Sequence, residues 1–401
     1  MRGHRDRGGY RRPAIVAISG VAMLASLAGA CLATSRAIEP VTGNGPLPPP
    51  LPAGPPAAGP RQPRSFTVVA TGDIEPPGPG PGAGGGRLDY RQPLRSVLPL
   101  ISGADLAICH IASPLAPTSP PTAAAELAGL GYDTCSTASD RALENGAGGV
   151  TRTLECLDRA GLRHAGTARG AAEAATPTIM TVRGVRVAQL SYAAGRATSR
   201  LPRTMPWLAN RIDAGRILTA ARRARRAGAR VVIVSLHWGR ERRRAATPAQ
   251  IALARRLLAA KDIDLIVGQG AGVVQPFGRA INGKFVAYGL GHLLAVSRGQ
   301  GAAENEGIIT RFTFGRGKAG WRVTRAEFVP TYFDRGRPPR VLDVTAELAD
   351  QRLVPARRRL LRAVFRGTTR TVYSRGAAPI LTSARAGPIP GVIRNHGRPG
   401  N

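Results

Sequence analysis

The alternation of two kinds of apolar pattern limits most strongly what this chain can fold into. Short apolar runs that end in a turn alternate with segments whose apolar residues recur at helical spacing. The strand-like runs are 66–73, 105–109, 132–136, 185–191, 231–236, 265–267 and 284–288. Alternating strands and helices predict an α/β protein with a central β-sheet, whose functional side chains collect at the carboxyl ends of the strands.

The helices and the C-terminal part follow from local signals. Thr247, Pro248 and Gln250 form a capping-box start, so a helix is predicted from Pro248 onward. Further helices are predicted over 146–160, 209–227 and, with a basic amphipathic pattern, 351–366. After residue 305, two antiparallel-looking strands joined by Gly315–Gly320 predict a strand-rich C-terminal segment.

The N-terminal region has the layout of an export signal. Residues 1–12 carry five arginines, and the apolar run Ala14–Ala30 leads to Cys31. We therefore expect residues 1–31 to be a signal peptide or an uncleaved N-terminal anchor. The sequence before Cys31 fits a loose lipobox, which makes Cys31 the lipidation candidate. The body of the protein is expected to be extracytoplasmic, either attached to the cell membrane or exported.

Composition divides the rest of the chain. Residues 32–64 are a proline- and glycine-rich linker, 65–335 the globular domain, and 336–401 a basic helix with a disordered tail. A second proline- and glycine-rich insert, 76–87, is also expected to be disordered. Cys109 and Cys135 each end a strand-like run, and the sequence leaves open whether they form a disulfide or remain buried thiols.

The formal net charge of +33 comes almost entirely from arginine. A GC-rich coding bias explains such a composition, but the surface attracts polyanions whatever its origin. Expected partners are an anionic envelope polymer or polyglutamate, and the membrane surface through the N-terminus. Nucleic acid is not expected, since the chain has no recognisable nucleic-acid module and only 4% aromatic residues. The arginines at 222–226 and 240–244 are interpreted as a solvated basic surface or, alternatively, as an anion-binding face.

Polar residues stand at the predicted strand ends, where a metal centre would form. They are Asp73, His110, Asp140, Arg141, His237, Glu241, Gln269 and His292. The loop Asp264–Pro276 has the setting of a metal-ligand loop, yet it offers Gln269, Gly270 and Gly272. Glycine has no donor atom, and a glutamine amide is a poor ligand for a transition metal.

Several motifs resemble one known family. They are TGDI at 71–74, GYDTCSTAS at 131–139, SLHWGRE at 235–241, GVVQP at 272–276 and GKFVAYGLG at 283–291. Together they resemble the CapA/PgsA family of bacterial capsule and poly-γ-glutamate synthesis proteins, of which this chain would be a divergent member from a GC-rich bacterium. The resemblance implies a metallophosphatase-like layered α/β sandwich with central β-sheets. It also implies a divalent metal, Mn, Fe or Zn.

The chain departs from the family pattern at several ligand positions. Gly72-Asp73 and His237 are kept, whereas His110 stands where the family has asparagine, and Asp140-Arg141 where it has Asn-His. The family's Gly-His-His-x-His turn corresponds to Gly268–Gly272, without any imidazole.

The metal donors implied by these matches are Asp73, His110, Asp140 and His237, which hold at most one ion if they converge. Alternatively, Asp73 is a hydrogen-bond acceptor and His237 a packed imidazole. The Arg141 guanidinium repels a cation and suits an anion, and Arg240 is a second anion-binding candidate. Arg141 pairing with Asp140 or Glu144 is the other interpretation.

The sequence is compatible with three functional hypotheses. The first is a surface-anchored, CapA-like protein with an impaired metal site, which carries little or no metal and binds an anionic envelope polymer. The second is an active metal-dependent hydrolase of the phosphoesterase type with a reduced site. The third is a structural envelope lipoprotein.

Overall fold

The computed structural model describes residues 64–75, 90–115, 123–195, 201–279, 282–295, 302–336, 338–377 and 379–381. The predictions for the N-terminal signal or anchor, Cys31, the linker at 32–63, the insert at 76–87 and the tail from 382 lie outside these residues. Within them, no helix has the length and apolar character needed to cross a bilayer.

The first β-sheet is mixed and contains nine strands among the described residues. They are β1 (Ser65–Glu75), β2 (Leu106–Ile111), β3 (Thr134–Ser136), β4 (Arg163–Ala165), β11 (His292–Ala295), β12 (Glu306–Gly317), β13 (Gly320–Asp334), β14 (Arg340–Asp343) and β15 (Ile380–Leu381). Strand β1 runs parallel to β2 on one side and antiparallel to β12 on the other. The end of β1 also pairs in parallel with β11.

The second β-sheet contains six strands in the order β5-β6-β7-β8-β10-β9. They are β5 (Thr178–Val182), β6 (Val185–Ala193), β7 (Val231–His237), β8 (Leu265–Gln269), β9 (Phe277–Arg279) and β10 (Phe285–Ala287). Strands β6, β7, β8 and β10 are parallel, so their carboxyl ends lie at one edge of the sheet.

The helices lie between the strands, as the periodicity predicts. They are α1 (Arg91–Leu94), α2 (Leu98–Ser102), α3 (Ala123–Gly129), α4 (Gly146–Arg159), α5 (Ala171–Ala175), α6 (Ala214–Arg226), α7 (Pro248–Ala259), α8 (Val344–Leu348) and α9 (Pro355–Tyr373). Helix α7 begins with the predicted capping box, in which the Thr247 side chain accepts from Gln250 N and the Gln250 side chain accepts from Thr247 N.

Three clusters of buried apolar side chains define how the sheets and helices are layered. Apolar side chains of both sheets, among them Val68, Ile108, Val187 and Ile233, form the core between the sheets. The outer face of the first sheet packs on α1 to α4, and the outer face of the second sheet packs on α6 and α7. The protein is therefore a layered α/β sandwich with two central sheets, which confirms the expected fold class.

Elements beyond residue 335 also join the first sheet. Strand β14 pairs with β13, β15 pairs with β13 in parallel, and Val372 of α9 lies in the core between the sheets. The expected division at residue 335 therefore falls inside a continuous sheet.

Cys109 and Cys135 form a disulfide between the neighbouring parallel strands β2 and β3. The two residues are direct register partners with a Cα–Cα distance of 4.5 Å, and both side chains are fully buried. Cys156 is a free thiol. Of the two alternatives that the sequence left open, the structure has the disulfide.

Candidate metal centre

The candidate centre lies where strands of both sheets end. Asp73 lies next to an irregularity in β1 and is the register partner of His110 on β2 and of His292 on β11. His237 ends β7 and is the register partner of Gln269 on β8. The side chains of the two sheets therefore meet at the carboxyl edge, as the strand-end rule predicts.

Three of the four predicted donors converge. The ligand atoms of Asp73, His110 and His237 all lie within 4.8 Å of one another, and all three residues are buried. His110 Nε2 is 2.9 Å from His237 Nδ1 and 3.9 Å from Asp73 Oδ1. Among the described residues, Asp73, His110 and His237 form the one group of at least three His, Cys, Asp or Glu side chains whose ligand atoms are close enough to hold an ion together.

The hydrogen bonds around His110 identify its tautomer. Its Nδ1 lies 2.8 Å from Ser136 Oγ, and the Ser136 hydroxyl donates to the Cys109 carbonyl at 3.2 Å. Because a hydroxyl has one proton, His110 Nδ1–H donates to Ser136 and the neutral ring carries its lone pair on Nε2. That lone pair points toward His237.

His237 is held in a matching way. Its Nε2 lies 2.9 Å from Asp140 Oδ1, and a carboxylate requires a donor, so Nε2 carries the proton. His237 Nδ1 then faces His110 Nε2 at 2.9 Å. Asp140 is therefore placed one layer outside the converging donors, where it orients a ligand histidine instead of contacting the ion.

The residues present fit one divalent ion. His110 Nε2 and His237 Nδ1 lie 2.9 Å apart, so these two imidazole nitrogens face the same point beside Asp73. Asp73 Oδ1 is buried and has no hydrogen-bond partner among the described residues, although Asp73 Oδ2 accepts from Gly270 N at 3.2 Å. An unpaired buried carboxylate oxygen beside two such imidazoles supplies the third donor of a cation site.

Burial sets the protonation of the donors. Desolvation, followed by the neighbouring His237, holds the pKa of His110 well below its ordinary value of 6.5. Desolvation also raises the pKa of Asp73, while His292 and His237 oppose that rise. His110 is therefore neutral at physiological pH, which is the ligand form of an imidazole.

The buried His110 predicts a pH dependence of stability. The pKa of His110 is near 6.5 in the unfolded chain and lower in the folded chain. At pH values between these two, His110 binds a proton in the unfolded chain but not in the folded chain. The free energy of unfolding should then fall as pH is lowered below about 6.5, by about 1.4 kcal/mol per pH unit from this residue. Urea unfolding from pH 7 to pH 5 with a chelator present should show a shallower slope for His110→Asn than for the native protein. Equal slopes would contradict the assignment.

The glycine loop after β8 packs against the retained histidines. Gly270 and Gly272 have φ of +91° and +67°, where a side chain is strained. A Cβ at Gly270 would lie 2.7 Å from the His237 ring, and one at Gly272 would lie 3.1 Å from His292 Cε1. The loop therefore supports the centre through its backbone and close packing, without supplying a ligand.

The Arg141 side chain is paired with two carboxylates. Its guanidinium donates to Glu144 and, at 3.3 Å, to Glu75, so the interpretation that it pairs with Glu144 is confirmed. The expected anion-binding role of Arg141 is thus opposed by two nearby negative charges, and its positive charge is balanced beside the centre. Arg240 is exposed on the loop after β7 and stays a candidate.

Four further polar residues lie on or directly after the strands that form the centre. His292 is buried, and its Nδ1 contacts the Glu304 carbonyl at 3.2 Å. Gln269 is 1% exposed, and neither of its amide atoms has a partner among the described residues. Glu75 is buried two residues after Asp73. Glu241 is exposed on the loop after β7.

Solved structures with a similar fold include nucleotidases and phosphoesterases. The NAD nucleotidase of Haemophilus influenzae is 12% identical with a TM-score of 0.45, and the match covers 80% of this chain and 57% of that one. A putative 5'-nucleotidase from Staphylococcus aureus is 12% identical with a TM-score of 0.42, covering 75% and 58%. The calcineurin-like phosphoesterase YfkN from Bacillus subtilis is 11% identical with a TM-score of 0.41, covering 76% and 97%. The chain thus spans less than two thirds of the length of the first two.

A protein-family model matches more than half of the sequence. A search among curated proteins gives no significant match. The family model described as "Bacterial capsule synthesis protein PGA_cap" matches residues 67–296, which contain Asp73, His110, Asp140 and His237. The chain belongs to the bacterial capsule synthesis protein family PGA_cap, as the motifs in its sequence predict.

Proposed function

We propose that this capsule synthesis protein is an envelope protein that holds an anionic polymer and contains one divalent ion, without two-metal hydrolysis. The observation that carries the one-ion part is the convergence of Asp73, His110 and His237 within 4.8 Å. The glycine loop, where a second set of imidazoles would be required, supplies no donor. A two-metal site needs several ligands for each ion, and the described residues bring together one set.

The chain's own residues would hold this ion through an oxygen of Asp73 and one nitrogen each of His110 and His237. A bound divalent ion supplies Lewis acidity, with which it attracts a carboxylate or phosphate oxygen. Ser136 and Asp140 keep the two rings oriented, and burial excludes bulk water from the donors. Zn, Mn and Fe are all compatible with imidazole and carboxylate ligands.

A basic groove at the other end of the second sheet supports polymer binding. The groove lies at the amino ends of β6, β7 and β8, beside Arg186, Arg226, Arg230, Lys261 and Arg316. Its lining also contains two acidic residues, Asp262 and Asp264, and the Asp264 carboxylate is paired with Arg225. The excess of positive charge in a concave surface favours a polyanion.

Neutralising the groove should weaken binding of poly-γ-glutamate. The triple variant Arg226→Gln, Arg230→Gln, Lys261→Gln removes three exposed charges from the groove. Exposed ion pairs contribute about 0.2–1 kcal/mol each, so affinity at low salt should fall about tenfold and its salt dependence should become weaker. Fluorescence anisotropy with labelled polymer at two or more salt concentrations measures both quantities.

A second triple variant provides a charge-matched control. Arg359→Gln, Arg362→Gln and Arg366→Gln remove three exposed arginines from helix α9. If this variant weakens binding as much as the groove variant does, the attraction comes from net charge alone and the groove has no special role. Absence of salt-sensitive binding by the native protein would favour a structural envelope lipoprotein instead.

We also propose an extracytoplasmic location, with the N-terminus attached to the membrane. The support is the arginine-rich start, the apolar run and Cys31. Mass spectrometry of the native N-terminus distinguishes lipidated Cys31 from an uncleaved anchor and from simple secretion. A mature protein released into the medium would contradict attachment.

A one-metal hydrolase is the second candidate, and a specific observation favours it. The orphan Asp73 Oδ1 and the two oriented imidazoles are the arrangement expected of a functional ion site, not of a degraded one. Turnover of bis-p-nitrophenyl phosphate by the metal-loaded protein, lost in His237→Ala and kept in His164→Ala, would establish this candidate. Absence of turnover at full metal occupancy would favour binding alone.

A further inference from the structure

A second cavity opens at the edge of the sandwich, between residues 163–178 and strand β6. It has a volume of about 270 Å³ and is lined by Thr167, Gln189, Ser191, Tyr192, Asn210 and Arg223, among other residues. We call it the edge pocket. Asp73, His110 and His237 do not line it, so it is separate from the metal centre.

The deep end of the edge pocket presents hydrogen-bonding groups that have no protein partner. Gln189 and Ser191 are each 1% exposed. Gln189 Oε1 accepts from Thr134 Oγ1 at 2.5 Å, whereas Gln189 Nε2 and Ser191 Oγ have no partner among the described residues. An unsatisfied buried polar atom costs about 1–3 kcal/mol, so an occupant with hydrogen-bonding groups is expected there.

The backbone of Gly166 packs closely beside the deep end of the pocket. Gly166 has φ of +122°, and a Cβ there would lie 2.8 Å from Ser191 Oγ. Gly166 O accepts from Asn210 N at 2.7 Å, and Asn210 Nδ2 donates to Ser191 O at 3.1 Å. These bonds hold the loop after β4 against β6, next to the Ser191 hydroxyl.

The two ends of the pocket differ in charge. Gln189 and Ser191 are uncharged, so the part of a ligand that reaches them must also be uncharged, because burying a charge without a partner is costly. At the mouth, Arg169 is balanced by Asp158 and Glu173. Arg223 is exposed and donates to the Ala175 carbonyl at 2.9 Å, with no carboxylate partner among the described residues.

The size of the pocket limits the ligand further. Pockets for drug-sized ligands have volumes of roughly 300–1,000 Å³, so a cavity of about 270 Å³ suits a single sugar-sized molecule. A ligand with hydroxyl groups at one end and one negative charge at the other matches the deep hydrogen-bonding groups and the guanidinium at the mouth.

We propose that the edge pocket binds a hydroxylated carboxylate of monosaccharide size, such as a hexuronate. Its hydroxyls contact Gln189 and Ser191, and its carboxylate pairs with Arg223. The ligand requires no ion at the metal centre, so this site stands independently of the proposed function.

Titration calorimetry of the full-length protein tests the proposal with three probes. Glucuronate has both features, glucose has the hydroxyls without the charge, and acetate has the charge without the hydroxyls. Glucuronate should bind at least about tenfold more tightly than either of the others. Failure of glucuronate to saturate, or equal binding of glucuronate and acetate, would overturn the proposal, because the deep groups would then serve water alone.

Two variants locate the probe in the pocket. Arg223→Gln should weaken glucuronate about tenfold and leave glucose unchanged, whereas Arg222→Gln, on the same helix and also exposed, should change neither. Ser191→Ala should weaken both sugars. Asp73→Asn should bind glucuronate as the native protein does. Loss of glucuronate binding in Asp73→Asn would place the probe at the metal centre and overturn the independent site.

Discussion

Replacing His237 with alanine should lower the affinity for the divalent ion by at least about 100-fold. Loss of an outer hydrogen-bond partner typically costs 10–100-fold in metal affinity, and loss of a direct ligand costs more. His237 offers Nδ1 to the centre, and only Asp73 and His110 converge with it among the described residues. A three-donor site that becomes a two-donor site should keep little of its affinity.

Competition against a chromogenic chelator measures this loss for Zn and Mn. His164→Ala is the matched control, because His164 is bonded to Asp158 at the other edge of the first sheet and lies outside the converging group. The metal affinity of Asp140→Asn should lie between those of His237→Ala and His164→Ala. We expect it to be about 10–100-fold below that of the native protein, since Asp140 orients His237. Equal affinities of His237→Ala and His164→Ala would exclude His237 as a ligand.

Removing the Cys109–Cys135 disulfide should lower the free energy of unfolding by about 3–4 kcal/mol, because it closes a loop of this length in the unfolded chain. The two cysteines are 26 positions apart in the sequence. They directly precede His110 and Ser136, which are hydrogen-bonded to each other. The double variant Cys109→Ala, Cys135→Ala should therefore also bind the ion less tightly than the native protein does.

Urea unfolding under oxidising conditions compares the double variant with a single control. Cys156→Ala removes the free thiol on helix α4 and should change the free energy of unfolding little. If the double variant is destabilised by no more than the control is, the bridge does not stabilise the fold. Addition of reductant should destabilise the native protein and leave the double variant unchanged.

Most of the fold could be predicted from apolar periodicity. Strands β2, β6, β7, β8 and β10 lie within a few residues of their predicted positions, because each is a buried run of branched or aromatic side chains. Strands β4 and β5 gave no clear signal, since β4 is three residues long and most of β5 is half-exposed. Helix α6 starts at Ala214, not at residue 209, because the Asp213 side chain caps it by accepting from Arg216 N.

The candidate centre was predictable only in part. Asp73, His110 and His237 follow from the strand-end rule and from motifs, and they converge as one group. The outer position of Asp140 and the pairing of Arg141 with Glu75 depend on side-chain directions that strand periodicity does not give. Glu75 could have been suspected, because it follows Asp73 by two residues on the same strand.

Elemental analysis of the purified full-length protein tests the central claim, a one-ion centre, most directly. After reconstitution with Mn, Fe or Zn and removal of loosely bound metal, we expect one equivalent of one of these metals per chain, and much less in Asp73→Asn and His237→Ala. No retained metal would contradict the site formed by Asp73, His110 and His237. Two equivalents lost together in these variants would show that the two-metal centre survives despite the glycine loop.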